Sequence, residues 1–84
     1  MNRSEIEASV HATLRTVVPV APDDLDPEEP FRDQFEMDSL DFLNFMLALE
    51  KEHGVKIPEA RYPRCAHLAG AADVLEEALA VKAP

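Results

Sequence analysis

The chain has a single cysteine, no tryptophan, and only eight basic residues to set against seventeen acidic ones. One cysteine closes no internal disulfide. The apolar runs are a few residues each, far short of the ~20 that a membrane-spanning helix needs, so membrane insertion is not expected. Residues 1–15 carry charges throughout and lack the apolar stretch of a signal peptide, which with the lone thiol points to a reducing, cytoplasmic compartment. A formal charge of −9 argues against nucleic acid, whose affinity comes mainly from Lys and Arg on phosphates. No segment alternates long enough for a strand, and there is no internal repeat or low-complexity tract. His11, His53 and His67 lie in three segments without ligand spacing, and no metal site is expected. The loop acids Asp23, Asp24 and Asp26 lack the glycine and closing glutamate of a calcium loop.

What remains is a globular mixture, 46% apolar and 30% charged, over 84 residues: one domain, residues 1–84, expected as a monomer. A chain of this size buries only about 60% of the surface its unfolded form exposes, which leaves little protein for a deep catalytic cleft. No enzymatic activity of its own is expected. The acids are concentrated: nine fall between Asp23 and Asp41, against Arg32 alone. Such a stretch either keeps a solvated loop soluble or steers the domain toward basic partners.

Ser4-Glu5-Ile6-Glu7 has the form of a capping box, and Ile6, Val10, Leu14 and Val17 then recur at helical spacing until Pro19, predicting a first helix over residues 4–18. Pro19, Pro22, Pro27 and Pro30 punctuate a long first loop, pinned by Leu25, Phe31 and Phe35. A connection of that length signals function or a short helical turn within it. Asp38-Ser39-Leu40-Asp41 starts the second main helix, with strong helix formers through Glu52 and a stop at Gly54. Its apolar arc is broad, with Leu40, Leu43, Leu47 and Glu50 on one line and Phe42, Phe45, Met46 and Leu49 on the next. Either the helix is central and covered on two sides, or Phe42 and Met46 sit at the surface as a partner contact; a short chain covers both lines with difficulty, which favours partial exposure. A short turn is predicted between Ala60 and Arg64, ended by Pro63, and a last helix from about His67 to Ala80. The fold class is all-α: a four-helix bundle of three main helices and one short one, with a long first loop.

Ser39 is the one residue in an unusual setting. A hydroxyl on the first turn of a helix is exposed beside unsatisfied backbone N–H groups and the positive end of the helix dipole, where a phosphodiester is tolerated. Asp38 and Asp41 oppose that charge, and the alternative is an ordinary first-turn serine beside a capping Asp38.

Phe35-Glu36-Met37-Asp38-Ser39-Leu40-Asp41-Phe42-Leu43, then Met46-Leu47-Ala48-Leu49-Glu50-Lys51-Glu52 and Ile57-Pro58, closely resembles the acyl carrier protein family, in the order helix, long loop, helix, short helix, helix over the full chain. The resemblance implies a free-standing carrier whose Ser39 receives 4'-phosphopantetheine from coenzyme A through a phosphopantetheinyl transferase. The arm's thiol would hold fatty acyl, polyketide or related groups as thioesters. It also implies docking of acyl-loading and acyl-transfer enzymes with basic patches through Asp38, Leu40, Asp41, Phe42, Met46 and Glu50. An acyl pocket would be lined by Phe31, Leu40, Leu43, Leu47, Ile57, Cys65, Leu68 and Ala72. Asn44 and Lys51 stand where carriers of fatty acid synthesis usually have acids, His53 replaces a large apolar residue, and Met37 and Phe42 replace small ones, which points to specialised partners. Cys65 reads as a small core hydrophobe rather than a nucleophile.

Three rival readings remain at this stage. A peptidyl or aminoacyl carrier shares the fold, although Asp38 stands where many such carriers have histidine. An unmodified helical interaction domain would present Phe42 and Met46 with the acidic loop. A small hydrolase would need Ser39 beside a histidine, and no catalytic spacing is present.

Overall fold

The computed structural model describes residues 1–82, all helix and connecting loop. Its elements are α1 (Arg3–Val17), a single turn α2 (Phe31–Gln34), α3 (Ser39–His53), a 3-10 helix (Glu59–Ala66) and α4 (Leu68–Lys82). Helix α1 packs on both α3 and α4, and the 3-10 helix packs on α4. Between them lie Ile6, Val10 and Leu14 of α1, Phe31 of α2, Phe45, Met46 and Leu49 of α3, and Leu75 of α4, all fully buried.

Helix α1 starts earlier than Ser4. Asn2 is the cap: its side chain accepts the Glu5 N–H at 2.8 Å, and the Glu5 carboxylate accepts the Asn2 N–H at 2.9 Å. Asn2-x-x-Glu5 and Ser4-x-x-Glu7 satisfy the same local rule. The first frees Glu7 to accept from Arg3 Nε at 2.9 Å and aims Arg3 at Asp73 of α4, 2.7 Å away, and at the Ala69 carbonyl. A tertiary contact thus decides between two equivalent caps. At the other end Val18, just past the helix, is buried, while Val17 is half-buried.

The long loop is ordered by its own side chains. Gln34 accepts the Asp26 N–H at 2.8 Å and donates to the Asp26 and Glu29 carbonyls at 2.9 Å, and the Pro27 carbonyl accepts the Ala69 N–H. Phe31 sits inside, edge-on to Phe45 at a centroid distance of 5.7 Å. The turn α2 is the short helix that the loop's length suggested.

Helix α3 has the predicted bounds. Asp38 accepts the Asp41 N–H at 2.7 Å, Asp41 returns the bond at 3.2 Å, and Gly54 closes the helix with φ of +62°. The following loop is fastened by Glu50, whose carboxylate accepts the Ile57 N–H at 2.7 Å, and by Lys82 Nζ, which donates to the His53 carbonyl at 2.8 Å.

The short turn near residue 60 does not stop at Pro63. The 3-10 helix runs through it to Ala66. Proline's fixed φ suits 3-10 geometry, and the missing N–H costs one bond rather than the segment. Gly70 lets α4 come close to this helix, because a Cβ there would lie 1.8 Å from the Arg64 carbonyl oxygen. Arg64 also pairs with Glu77 at 3.2 Å, and Arg61 reaches the same carboxylate at 3.5 Å.

Candidate functional site

The two apolar lines of α3 have opposite fates, and the sequence-based expectation assigned part of each to the wrong side. Met46 is fully buried, not a surface contact, and Phe42 is half-buried against the core. Leu40, Leu43 and Leu47, expected to line an interior pocket, are instead 64%, 42% and 50% exposed. The reason is geometric: α3 turns Phe45, Met46 and Leu49 toward α1 and the core, and the leucine line falls on the opposite side of the helix. Glu50, expected to face partners, is half-buried and engaged with the Ile57 N–H. The other interior positions, Phe31, Ile57, Cys65, Leu68 and Ala72, are buried.

Ser39 is the first residue of α3 and is exposed. Among the described residues its hydroxyl makes no hydrogen bond, in contrast to the carboxylates of Asp38 and Asp41, which are held in the reciprocal cap. Ser39 stands on the rim of a cleft of about 300 Å³ that runs between α2, the start of α3 and the 3-10 helix. Its walls are mainly apolar: Phe31, Met37, Phe42, Tyr62, Pro63 and Ala66, with Arg32 and Asp38 as the charged members. Phe42 and Tyr62 meet edge to face at 6.0 Å, so the cleft has one firm aromatic wall. Burial, with the negative charges of Glu50 and Glu59, holds the Tyr62 phenol above its ordinary pKa, so it stays protonated.

Among the described residues no side chain hydrogen-bonds to Ser39 Oγ, and His53 and His11 are engaged elsewhere. His53 Nε2 bonds to Ser9 Oγ at 2.9 Å, tying α3 to α1, and His11 Nε2 bonds to the Pro22 carbonyl at 2.8 Å. Cys65 is fully buried, and burial pushes its thiol up to about 11, with Arg64 opposing the shift and Glu77 adding to it. That environment disfavours the thiolate and leaves Cys65 a core side chain. Among the described residues no group of three His, Cys, Asp or Glu side chains could hold a metal, and no helix is long and apolar enough to cross a membrane.

Comparison with known proteins adds to this geometry. The family described as the phosphopantetheine attachment site matches residues 8–75, which takes in the cleft and all of α3. The chain belongs to the acyl carrier protein family. It is 41% identical over 59 residues to an acyl carrier protein of Thermosynechococcus vestitus, covering 70% of this chain and 73% of that one. An acyl carrier protein of Acidothermus cellulolyticus is 26% identical over 78 residues, 93% of each chain. A meromycolate extension acyl carrier protein of Mycobacterium tuberculosis is 30% identical over 59 residues, and the match spans about half of that relative's length (51%).

The family's group is 4'-phosphopantetheine, held covalently, and its members are carriers rather than catalysts. The residues of this carrier fit such a group: an exposed, unengaged hydroxyl opens onto an apolar cleft. Of the cleft's lining, sequence reasoning pointed to Ser39 as an attachment residue, Phe31 as a pocket residue, and Asp38 and Phe42 as partner contacts. It missed Tyr62, Pro63, Ala66 and Arg32 as walls, because they come together only through the docking of the 3-10 helix and α2.

Proposed function

We propose that Ser39 is the residue that receives the phosphopantetheine arm, and that the chain, as a single carrier domain over residues 1–84 working in the cytoplasm, conveys acyl groups between partner enzymes. The observation that carries this reading is the free hydroxyl of Ser39 at the lip of the apolar cleft. A transferase supplies the base that takes the Ser39 hydroxyl proton; Ser39 Oγ bonds to the pantetheine-side phosphorus of coenzyme A, the P–O bond of the pyrophosphate breaks, and adenosine 3',5'-bisphosphate leaves. The bound arm supplies a thiol that holds fatty acyl, polyketide or related acyl groups as thioesters.

The carrier's own residues do two jobs in this reading. Leu40, Leu43 and Leu47 form an exposed apolar stripe on α3, with Asp38 and Asp41 at its leading end. An apolar strip with acids at one end suits an enzyme surface that pairs a hydrophobic patch with basic residues, the charges speeding the encounter and the leucines supplying buried area. The stripe replaces Phe42 and Met46 as the docking surface. Asn44 and Lys51, both exposed on the same helix, put a neutral and a basic side chain where the resemblance implies acids, which supports specialised partners. The second job is shelter: Phe31, Met37, Phe42 and Tyr62 offer apolar walls to whatever is attached at Ser39.

The test is intact mass after incubation with coenzyme A, magnesium and a promiscuous phosphopantetheinyl transferase. Wild type is expected to gain one phosphopantetheine unit and Ser39→Ala none. A wild type that stays unmodified beside a carrier that the same transferase loads would overturn the reading and favour an unmodified interaction domain.

A further inference from the structure

Four of the five arginines are ion-paired: Arg3 with Glu7 and Asp73, Arg15 with Asp23, and Arg61 and Arg64 with Glu77. Arg32 is the exception. It is the only basic residue between Arg15 and Lys51 and sits amid nine acids, yet no carboxylate lies within 4.0 Å of it among the described residues. The nearby acids with defined partners are committed elsewhere, Asp38 and Asp41 to each other's N–H groups and Asp26 to the Glu28 N–H. The backbone beneath Arg32 is fixed, with Phe31 buried on one side and Gln34 holding the loop on the other. Arg32 lines the same cleft as Ser39.

An anion on Ser39 would lie between the Asp38 and Asp41 carboxylates, with only the first-turn amides of α3 to offset them. A guanidinium carried by α2 on the same cleft removes that conflict, since its planar fork matches two phosphate oxygens at once. We propose that Arg32 is the counter-ion of the phosphodiester on Ser39, and that this pair draws the near end of the arm across the cleft toward the Phe42–Tyr62 wall. The inference rests on the carrier reading. The part of the arm next to its phosphate bears a gem-dimethyl carbon, an apolar group that suits an aromatic wall. Arg32 is therefore a positioning residue: in the unmodified chain it waits unpaired, and attachment completes its partner.

The experiment uses the loaded forms of wild type, Arg32→Gln and Arg32→Lys, each checked by intact mass, and reads the phosphorus NMR shift of the phosphodiester at ~10 mM and ~1 M salt, where the screening length falls from about 30 to about 3 Å. The wild-type resonance is expected to move with salt. Arg32→Gln should already sit at the high-salt position in low salt, and Arg32→Lys should fall between them, having the charge without the fork. A thioester on the arm should be cleaved by hydroxylamine at least twofold faster in Arg32→Gln. Unloaded Arg32→Gln should melt with wild type, because the side chain is exposed and unpaired. Superimposed phosphorus shifts for loaded wild type and Arg32→Gln at both salts would overturn the proposal. So would slower loading of Arg32→Gln with unchanged shifts, which would assign Arg32 to the transferase contact instead. Failure of wild type to load at all is seen in the mass alone, and removes the carrier reading itself.

Discussion

Leu47 and Met46 are neighbours of nearly equal size and hydrophobicity on α3, yet one is half exposed and the other touches no solvent. The same split runs along the helix, with Leu40, Leu43 and Leu47 outside and Phe45, Met46 and Leu49 inside. What separates them is 100° of helical rotation per residue and the placement of α1 against one side of α3, not residue type. In so small a domain one apolar face of α3 is used for folding, and the other is the surface proposed above for docking.

That contrast can be broken by substitution. Phe45→Ala removes a fully buried ring that meets Phe31 edge-on at 5.7 Å and Phe42 at 6.4 Å, and should cost about 3–5 kcal/mol in denaturant unfolding. A cost below about 1 kcal/mol would mean that the inward face is not the one described. The interior should also show itself through pH. The folded Cys65 thiol titrates at about 11 instead of 9.0, so above pH 9 the unfolded chain loses this proton first. The contribution is complete below pH 9 and lost as pH rises toward 11, at most roughly 3 kcal/mol in all. Other groups titrate in that range, so the measurement is the difference between wild type and Cys65→Ala. The alanine variant should lack this part of the alkaline slope, and equal slopes would count against burial as the cause. The smallest effect belongs to the outer face: Leu47→Ala should leave the unfolding free energy within about 0.5 kcal/mol of wild type.

The legible parts of the fold were those set by near neighbours in the chain. Asp38 with Asp41, and Gly54, fix the bounds of α3 through contacts within a turn, and Ser39 follows from them. Two apolar lines side by side cannot be ranked from periodicity, since both satisfy it; the family resemblance implies Leu40, Leu43 and Leu47 in the pocket and Leu40, Phe42 and Met46 at the docking face, and neither signal shows which side of α3 meets α1. The start of α1 was ambiguous for the same kind of reason, two caps in tandem, resolved by Arg3 reaching Asp73 on α4. Glu50 looked like a surface acid because its partner, the Ile57 N–H, lies beyond a reversal of the chain. Part of the cleft was hidden likewise: Tyr62, Pro63 and Ala66 line it with Ser39 through the seating of the 3-10 helix on α4, where Gly70 admits the Arg64 carbonyl.

The proposed division of α3 into a folding face and a docking face is tested most directly by the time course of phosphopantetheine loading, followed by intact mass, for wild type and the double variant Leu43→Asp/Leu47→Asp. The account predicts wild-type thermal unfolding with loading slowed about tenfold or more, equivalent to roughly 1.4 kcal/mol or more of lost interaction with the transferase. Loading at the wild-type rate by a variant with the outer leucines replaced would contradict it.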